Sequence, residues 1–150
     1  MQLAGNQIVN APSSRIWQLL MNPDLLAKVV PGISSLEKLS ENLFKSVIII
    51  KMGPINGTFT GHLNLDDLVE EKSFLLKAQQ NSKIGNANAE IKIDLTPKNE
   101  NQTEVNFDGD VRMSGLLASM GQRVIGGVAN TLTKQFFNNL ERELAVPTNV

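Results

Sequence analysis

Residues 115–145 read GLLASMGQRVIGGVANTLTKQFFNNLERELA and carry the one long helical pattern in the chain. Leu116, Met120, Val124, Val128, Leu132, Phe136, Leu140 and Leu144 recur at every fourth position. Leu117, Ile125, Ala129 and Phe137 widen that stripe, while Gln122, Arg123, Asn130, Lys134, Asn138, Glu141 and Arg142 fill the remaining surface, as in a helix lying on a core. At about 1.5 Å per residue such a helix measures roughly 45 Å, enough to cross a small sheet and act as its lid. Gly121, Gly126 and Gly127 fall inside it, each costing about 0.5–1 kcal/mol relative to alanine. Either a ligand or a strand approaches the helix backbone there, or the glycines mark a kink or tight packing on the sheet.

Working back from this lid, the stretch from Ile33 to Met113 alternates apolar and polar residues with a period of two. It predicts strands over about 33–39, 43–52, 57–66, 73–82, 87–96 and 103–113, joined by short polar turns into an antiparallel meander. Phe44, Ser46, Ile48, Ile50 and Met52 share one face, as do Phe59, Gly61, Leu63 and Leu65 on the next strand, then Phe74, Leu76, Ala78 and Gln80. Ala87, Ala89, Ile91, Ile93 and Leu95, then Val105, Phe107, Gly109, Val111 and Met113, continue that face, whereas the intervening residues are mostly polar. One side of the sheet is therefore dry and the other wet. A first strand is expected over residues 2–10, followed by two short helices. Ile16, Trp17, Leu19 and Leu20 form the apolar face of the first helix; Asn22 caps the second, which Pro23 opens and Pro31-Gly32 ends.

Composition narrows the chemistry. The chain of 150 residues suits one domain with a sizeable core, expected over residues 1–145 with a short C-terminal tail over 146–150. A net charge of -1 and no basic run give no electrostatic attraction to nucleic acid or an anionic membrane. Without cysteine, thiol nucleophiles, disulfides and cysteine-held metals are excluded. The N-terminal residues lack the pattern of a secretory signal, and no apolar run is long enough to span a bilayer, so a cytoplasmic protein with at most peripheral membrane contact is expected.

The order β-αα-β6-α describes an α+β helix-grip fold: a curved antiparallel sheet of about seven strands wrapped around a long C-terminal helix, with two short helices after the first strand. The local sequences are more specific. Ala11-Pro12 with Ile16-Trp17, Asn22-Pro23-Asp24, Val30-Pro31-Gly32, Gly53-Pro54-Ile55-Asn56-Gly57-Thr58-Phe59-Thr60-Gly61, Gly121-Gln122-Arg123 and Phe136-Phe137 follow one another in an order that resembles the carbon monoxide dehydrogenase CoxG family of the START-like (SRPBCC) superfamily. The resemblance implies a hydrophobic cavity between sheet and helix that takes an apolar, quinone- or lipid-like ligand. It also implies an accessory role beside a molybdenum-containing CO dehydrogenase or related hydroxylase, recruiting that enzyme to the membrane and its quinone pool. Two departures stand out. The family tends to be glycine-rich between the fifth and sixth of these strands, whereas Gln79 to Asn86 retains one glycine, and the ending Pro147-Thr148-Asn149-Val150 does not suggest an apolar anchor.

The expected ligand-binding residues are the concave lining: Trp17, Phe44, Ile48, Phe59, Phe74, Phe107, Met120, Gly121, Val124 and Val128. A solid core is the plainer reading of the same apolar stripes. Arg123, on the flank of the lid helix, is the candidate for a ligand head group or a partner's carboxylate, against the alternative of a surface arginine whose stem covers apolar area. His62 is the single imidazole, and the outward face it shares with Asp66 sets the two apart by roughly 13 Å, so it reads as a surface histidine; no metal site is expected. The inward positions offer Ser46 and Gln80 as their chief polar groups and no acid–base residue, so no catalytic residue and no cofactor are assigned. A binding module is the favoured function. An enzyme of the cyclase, dehydratase or hydrolase kind acting on an apolar substrate, and a purely structural accessory subunit, are the alternatives; composition sets no oligomeric state.

Overall fold

The computed structural model of the chain describes residues 1–146, so of the tail expected over 146–150 only Val146 lies within it. The elements run β1 Gln2–Val9, α1 Ser13–Met21, α2 Pro23–Val29, β2 Ile33–Ser40, β3 Leu43–Met52, β4 Ile55–Val69, β5 Ser73–Ser82, β6 Gly85–Asn99, β7 Gln102–Met113, α3 Leu116–Ser119 and α4 Gln122–Ala145. The strands form a single seven-stranded curved sheet in the order β1-β7-β6-β5-β4-β3-β2, and every pairing is antiparallel. Strands β2 to β7 are the expected meander, with β4 and β6 longer than the alternation alone predicts. Because β1 and β2 occupy opposite edges, the chain between them must travel from one edge of the sheet to the other, and α1 and α2 make that crossing.

The register places the expected inner residues side by side: Phe44 opposite Leu63, Leu65 opposite Leu76, Phe74 opposite Ile93, and Ile93 opposite Phe107. A one-residue slip would turn each set to the wet face, so the burial of these side chains fixes the pairing. Asn22 caps α2 as expected, its side-chain oxygen accepting from the Asp24 backbone N–H at 3.0 Å. At the start of α1 the fully buried Thr103 hydroxyl on β7 donates to the Ala11 carbonyl at 2.8 Å and ties the helix pair to the sheet.

The lid departs from the expected single helix. Residues 116–119 form the separate short α3, and α4 starts only after Gly121, whose φ of 84° lies in the left-handed region that glycine enters without penalty. Gly121 is thus a break between two helices rather than an interior helical residue. Gly126 and Gly127 do lie inside α4, but a methyl group at either would meet nothing within 4 Å, so neither a neighbouring strand nor tight packing accounts for them. The buried face is also rotated from the every-fourth-residue row. A step of four residues advances about 40° beyond a full turn, so that row spirals around the helix. At its N-terminal end Leu116 is 56% and Val124 37% exposed, whereas Ile125, Phe137, Leu140 and Leu144 are buried. The backbone of α4 comes near α2 and β1 and rarely near the strands between.

The core accordingly divides. The larger cluster gathers Ile16, Trp17, Leu20, Phe44, Leu63, Phe74, Phe137 and Leu140 under α1, α2 and the C-terminal half of α4. A smaller one joins Ile55, Phe59, Leu117 and Ile125 around α3 and the start of α4.

Candidate ligand cavity

Between those clusters the inner face is incompletely covered. Ile48, Ile50, Leu76, Ile91, Ile93, Phe107 and Val111 point inward yet remain only partly buried, because α4 bridges over them instead of resting on them. The space left is a cavity of about 410 Å³. Its floor is the sheet, from Leu3 on β1 across Val105 and Phe107 to Ile48 and Ile50 on β3; its roof is the α4 row Ile125, Val128, Ala129, Leu132, Thr133, Phe136, Phe137 and Leu140. Those alternating steps of three and one are the i, i+3, i+4 pattern by which successive helical turns present one face to a neighbour. Ile16 and Leu20 of α1 close one side, and Ile55 and Leu117 approach from the smaller cluster. Gln80 and Thr133 are the polar side chains of this lining, and no ionisable side chain belongs to it among the described residues.

Of the residues expected to line the site, Ile48, Phe59, Phe74, Phe107 and Val128 do so. Trp17 does not: it is buried behind the wall, edge-on to Phe74 with ring centroids 5.9 Å apart. Phe44 likewise belongs to the packed core, since β3 turns it toward Leu63 beyond the reach of the cavity. Met120, Gly121 and Val124 stand outside the lining because the break at Gly121 carries the chain off the roof: Met120 packs against the smaller cluster and Val124 faces outward. Arg123 is exposed and has no hydrogen bond or ion pair among the described residues. The neighbouring aromatics resolve into a buried Phe137 and a partly buried Phe136 whose rings meet edge-on at 5.4 Å; both line the cavity.

Gln80 is the lining residue whose signal lay in the sequence: an amide at an inward strand position, opposite a glycine. Its Nε2 donates to Ser46 Oγ at 3.0 Å and to the His62 carbonyl at 3.4 Å, and its Oε1 is buried without a partner. The opposite face of the sheet carries a broader trough of about 620 Å³ bordered by His62, Lys77, Glu90 and Arg112, where charges of both signs face water. Lys77 pairs there with Asp66 at 3.2 Å, a hydrogen bond that, ahead of the Asp66 charge and that of Glu90, holds the lysine pKa above its usual value. No helix among the described residues is long and apolar enough to cross a membrane.

Comparison with known proteins agrees with this architecture. A conserved protein from Geobacillus kaustophilus shares the fold with a TM-score of 0.93 at 29% identity, over 97% of this chain and 95% of that one. A START superfamily protein from Mycobacterium smegmatis superposes with a TM-score of 0.75 at 14% identity, covering 95% of both chains. No protein of curated function matches by sequence. The family model of the carbon monoxide dehydrogenase CoxG subunit matches residues 5–145, and with its START-like fold the chain belongs to the CoxG family.

Proposed function

We propose that the protein is a non-catalytic binding module that holds a quinone- or lipid-like molecule between the sheet and α4. It serves as an accessory subunit that recruits a CO dehydrogenase-like molybdenum hydroxylase, working at the cytoplasmic face with at most peripheral membrane contact. The observation that carries the binding role is the lining: a volume of about 410 Å³ walled almost wholly by aliphatic and aromatic side chains. Ligand pockets of roughly 300–1,000 Å³ have this character. A ligand that buries on the order of 200 Å² of apolar surface there gains about 5 kcal/mol from leaving water. Turnover would ask for a group that moves protons or attacks a bond, and Gln80 and Thr133 are neutral at every ordinary pH. The accessory role rests on the family alone.

Native mass spectrometry of the protein as purified, followed by organic extraction, tests the reading on wild type and Ala129→Phe. Ala129 lies in the roof, so a phenyl group there fills the cavity from above. The expected result is a bound apolar mass in wild type that is absent from a folded Ala129→Phe. A wild-type protein that is empty and takes up neither added quinone nor fatty acid would refute the binding role and leave the purely structural role standing.

A further inference from the structure

Where the α4 roof ends, the cavity is bordered by α3, and this border is one layer thick. Leu117 is 3% exposed and lines the cavity, whereas its neighbour Leu116 is 56% exposed. The four residues of α3 stand between Gly115, at φ 65° and ψ -147°, and Gly121, at φ 84° and ψ 156°. Both glycines occupy backbone conformations that essentially only glycine reaches. On the Gly115 side, α3 is seated on the β5–β6 turn: the Leu117 N–H donates to the Ile84 carbonyl at 3.0 Å, and a side chain at Gly85 would overlap the Ser114 carbonyl. On the Gly121 side nothing lies within 4 Å of where a side chain would begin, so the chain has room to turn there.

The break leaves matched groups unused. The N–H groups of Gln122, Arg123 and Val124 and the carbonyls of Ala118, Ser119 and Met120 make no hydrogen bond among the described residues. They are donors and acceptors four residues apart, the partners that a continuous helix joins. The helical periodicity of the sequence runs through the break in the same way, from Leu116 to Leu144. In the broken form α3 buries Leu117 and keeps its bond to Ile84; straightened, the chain gains the missing helical bonds and withdraws Leu117 from the cavity. The two sets of interactions oppose each other across one glycine.

We propose that α3 is a hinged flap over the cavity: it opens when residues 116–145 straighten through Gly121 into one helix, which gives an apolar ligand its way in, and it closes as Leu117 packs on the bound molecule. This rests on the binding role above and adds how the site loads. Because Leu117 touches the ligand only in the closed form, binding shifts the population toward that form.

Two replacements of opposite hand at one residue test the flap. Gly121→Ala holds a positive φ only under strain and favours helix, so it should open the flap; Gly121→D-Ala, introduced by chemical ligation, has the mirror-image preferences and should hold it closed. N-phenyl-1-naphthylamine, an uncharged probe that brightens on leaving water, is mixed rapidly with each folded protein. Its entry and release should be about tenfold or more faster in Gly121→Ala than in Gly121→D-Ala, with wild type between them. Amide hydrogen exchange gives a second reading: residues 122–124 should gain protection in Gly121→Ala and Leu117 should lose it, while in wild type a saturating amount of the probe should slow exchange at Leu117. The wild-type measurement decides the matter if neither variant folds. Equal rates in the two variants, or a wild-type Leu117 amide indifferent to the bound probe, overturn the flap and leave the binding role intact. Faster entry in Gly121→Ala without protection at 122–124 overturns the straightening, and a wild type that takes up none of the probe overturns the inference together with the binding role.

Discussion

Replacing Leu65 and Leu76 by alanine, one at a time, separates a hollow interior from a solid one. The two leucines stand directly opposite each other on β4 and β5 and point to the same face. Leu65 is 5% exposed and belongs to the packed core, whereas Leu76 is partly buried and borders the cavity. Truncating Leu65 forfeits about 2 kcal/mol of transfer free energy and opens a new void; at about 24 cal/mol per Å³, a residual hole of roughly 40–50 Å³ adds about 1 kcal/mol, for a loss near 3 kcal/mol. Leu76 already lacks neighbours on its cavity side, so its removal enlarges an existing space and gives up fewer contacts, for about 1.5 kcal/mol. With a urea m-value near 2 kcal/mol/M, the two midpoints should differ by about 0.75 M, with m unchanged. Equal losses in the two variants would show that Leu76 is packed as densely as Leu65, and the cavity on which the ligand argument depends would not exist. A saturating apolar ligand should raise the wild-type midpoint by mass action, about 2.7 kcal/mol at a hundred times its Kd.

Two other perturbations address what holds the frame. Thr103→Val keeps the shape of a fully buried side chain but leaves the Ala11 carbonyl without its donor, and should cost about 1–3 kcal/mol in urea unfolding; a neutral result would show that the bond does not tie α1 to the sheet. Lys77→Met on the wet face should shift the thermal midpoint little, because exposed ion pairs are screened. The lysine pKa is raised above 10.5 in the folded chain, so the small contribution of the charged form is present in full below that pH and is lost as the pH rises through the folded value. The difference between wild type and Lys77→Met should therefore narrow only in alkali, and narrowing near neutrality would contradict it.

The strands were legible because their signal is local: a period of two, turn residues at each end and one wet face determine both the pairing and the side each residue takes. The extensions of β4 to Val69 and β6 to Asn99 were not, since Asp67, Pro97, Lys98 and Asn99 are polar or turn-like and Leu68 and Val69 are exposed, so these residues gain their strand geometry from neighbours rather than from burial. The lid was legible as a helix but not as two. Nothing in GLLASMGQRV distinguishes a glycine tolerated inside a helix from one that turns the chain with a positive φ; that depends on α3 being held to the β5–β6 turn, where the Leu117 N–H donates to the Ile84 carbonyl.

Cavity residues were harder to choose than core residues because the two are identical in kind. Phe44 and Phe59 are both inward, buried phenylalanines on neighbouring strands, yet Phe44 is enclosed by the larger core cluster while Phe59, packed in the smaller one, also borders the cavity. What separates them is the height of α4 above the sheet, set by α1 and α2 crossing between opposite edges and by the C-terminal half of α4 packing on α2. Propped at that end and joined at the other to α3 through Gly121, the helix spans the middle of the sheet without descending onto it. The apolar pattern then does two jobs at once: where the helix touches, it stabilises the fold, and where the helix is held away, the same alternation leaves a dry wall that only another apolar molecule can cover.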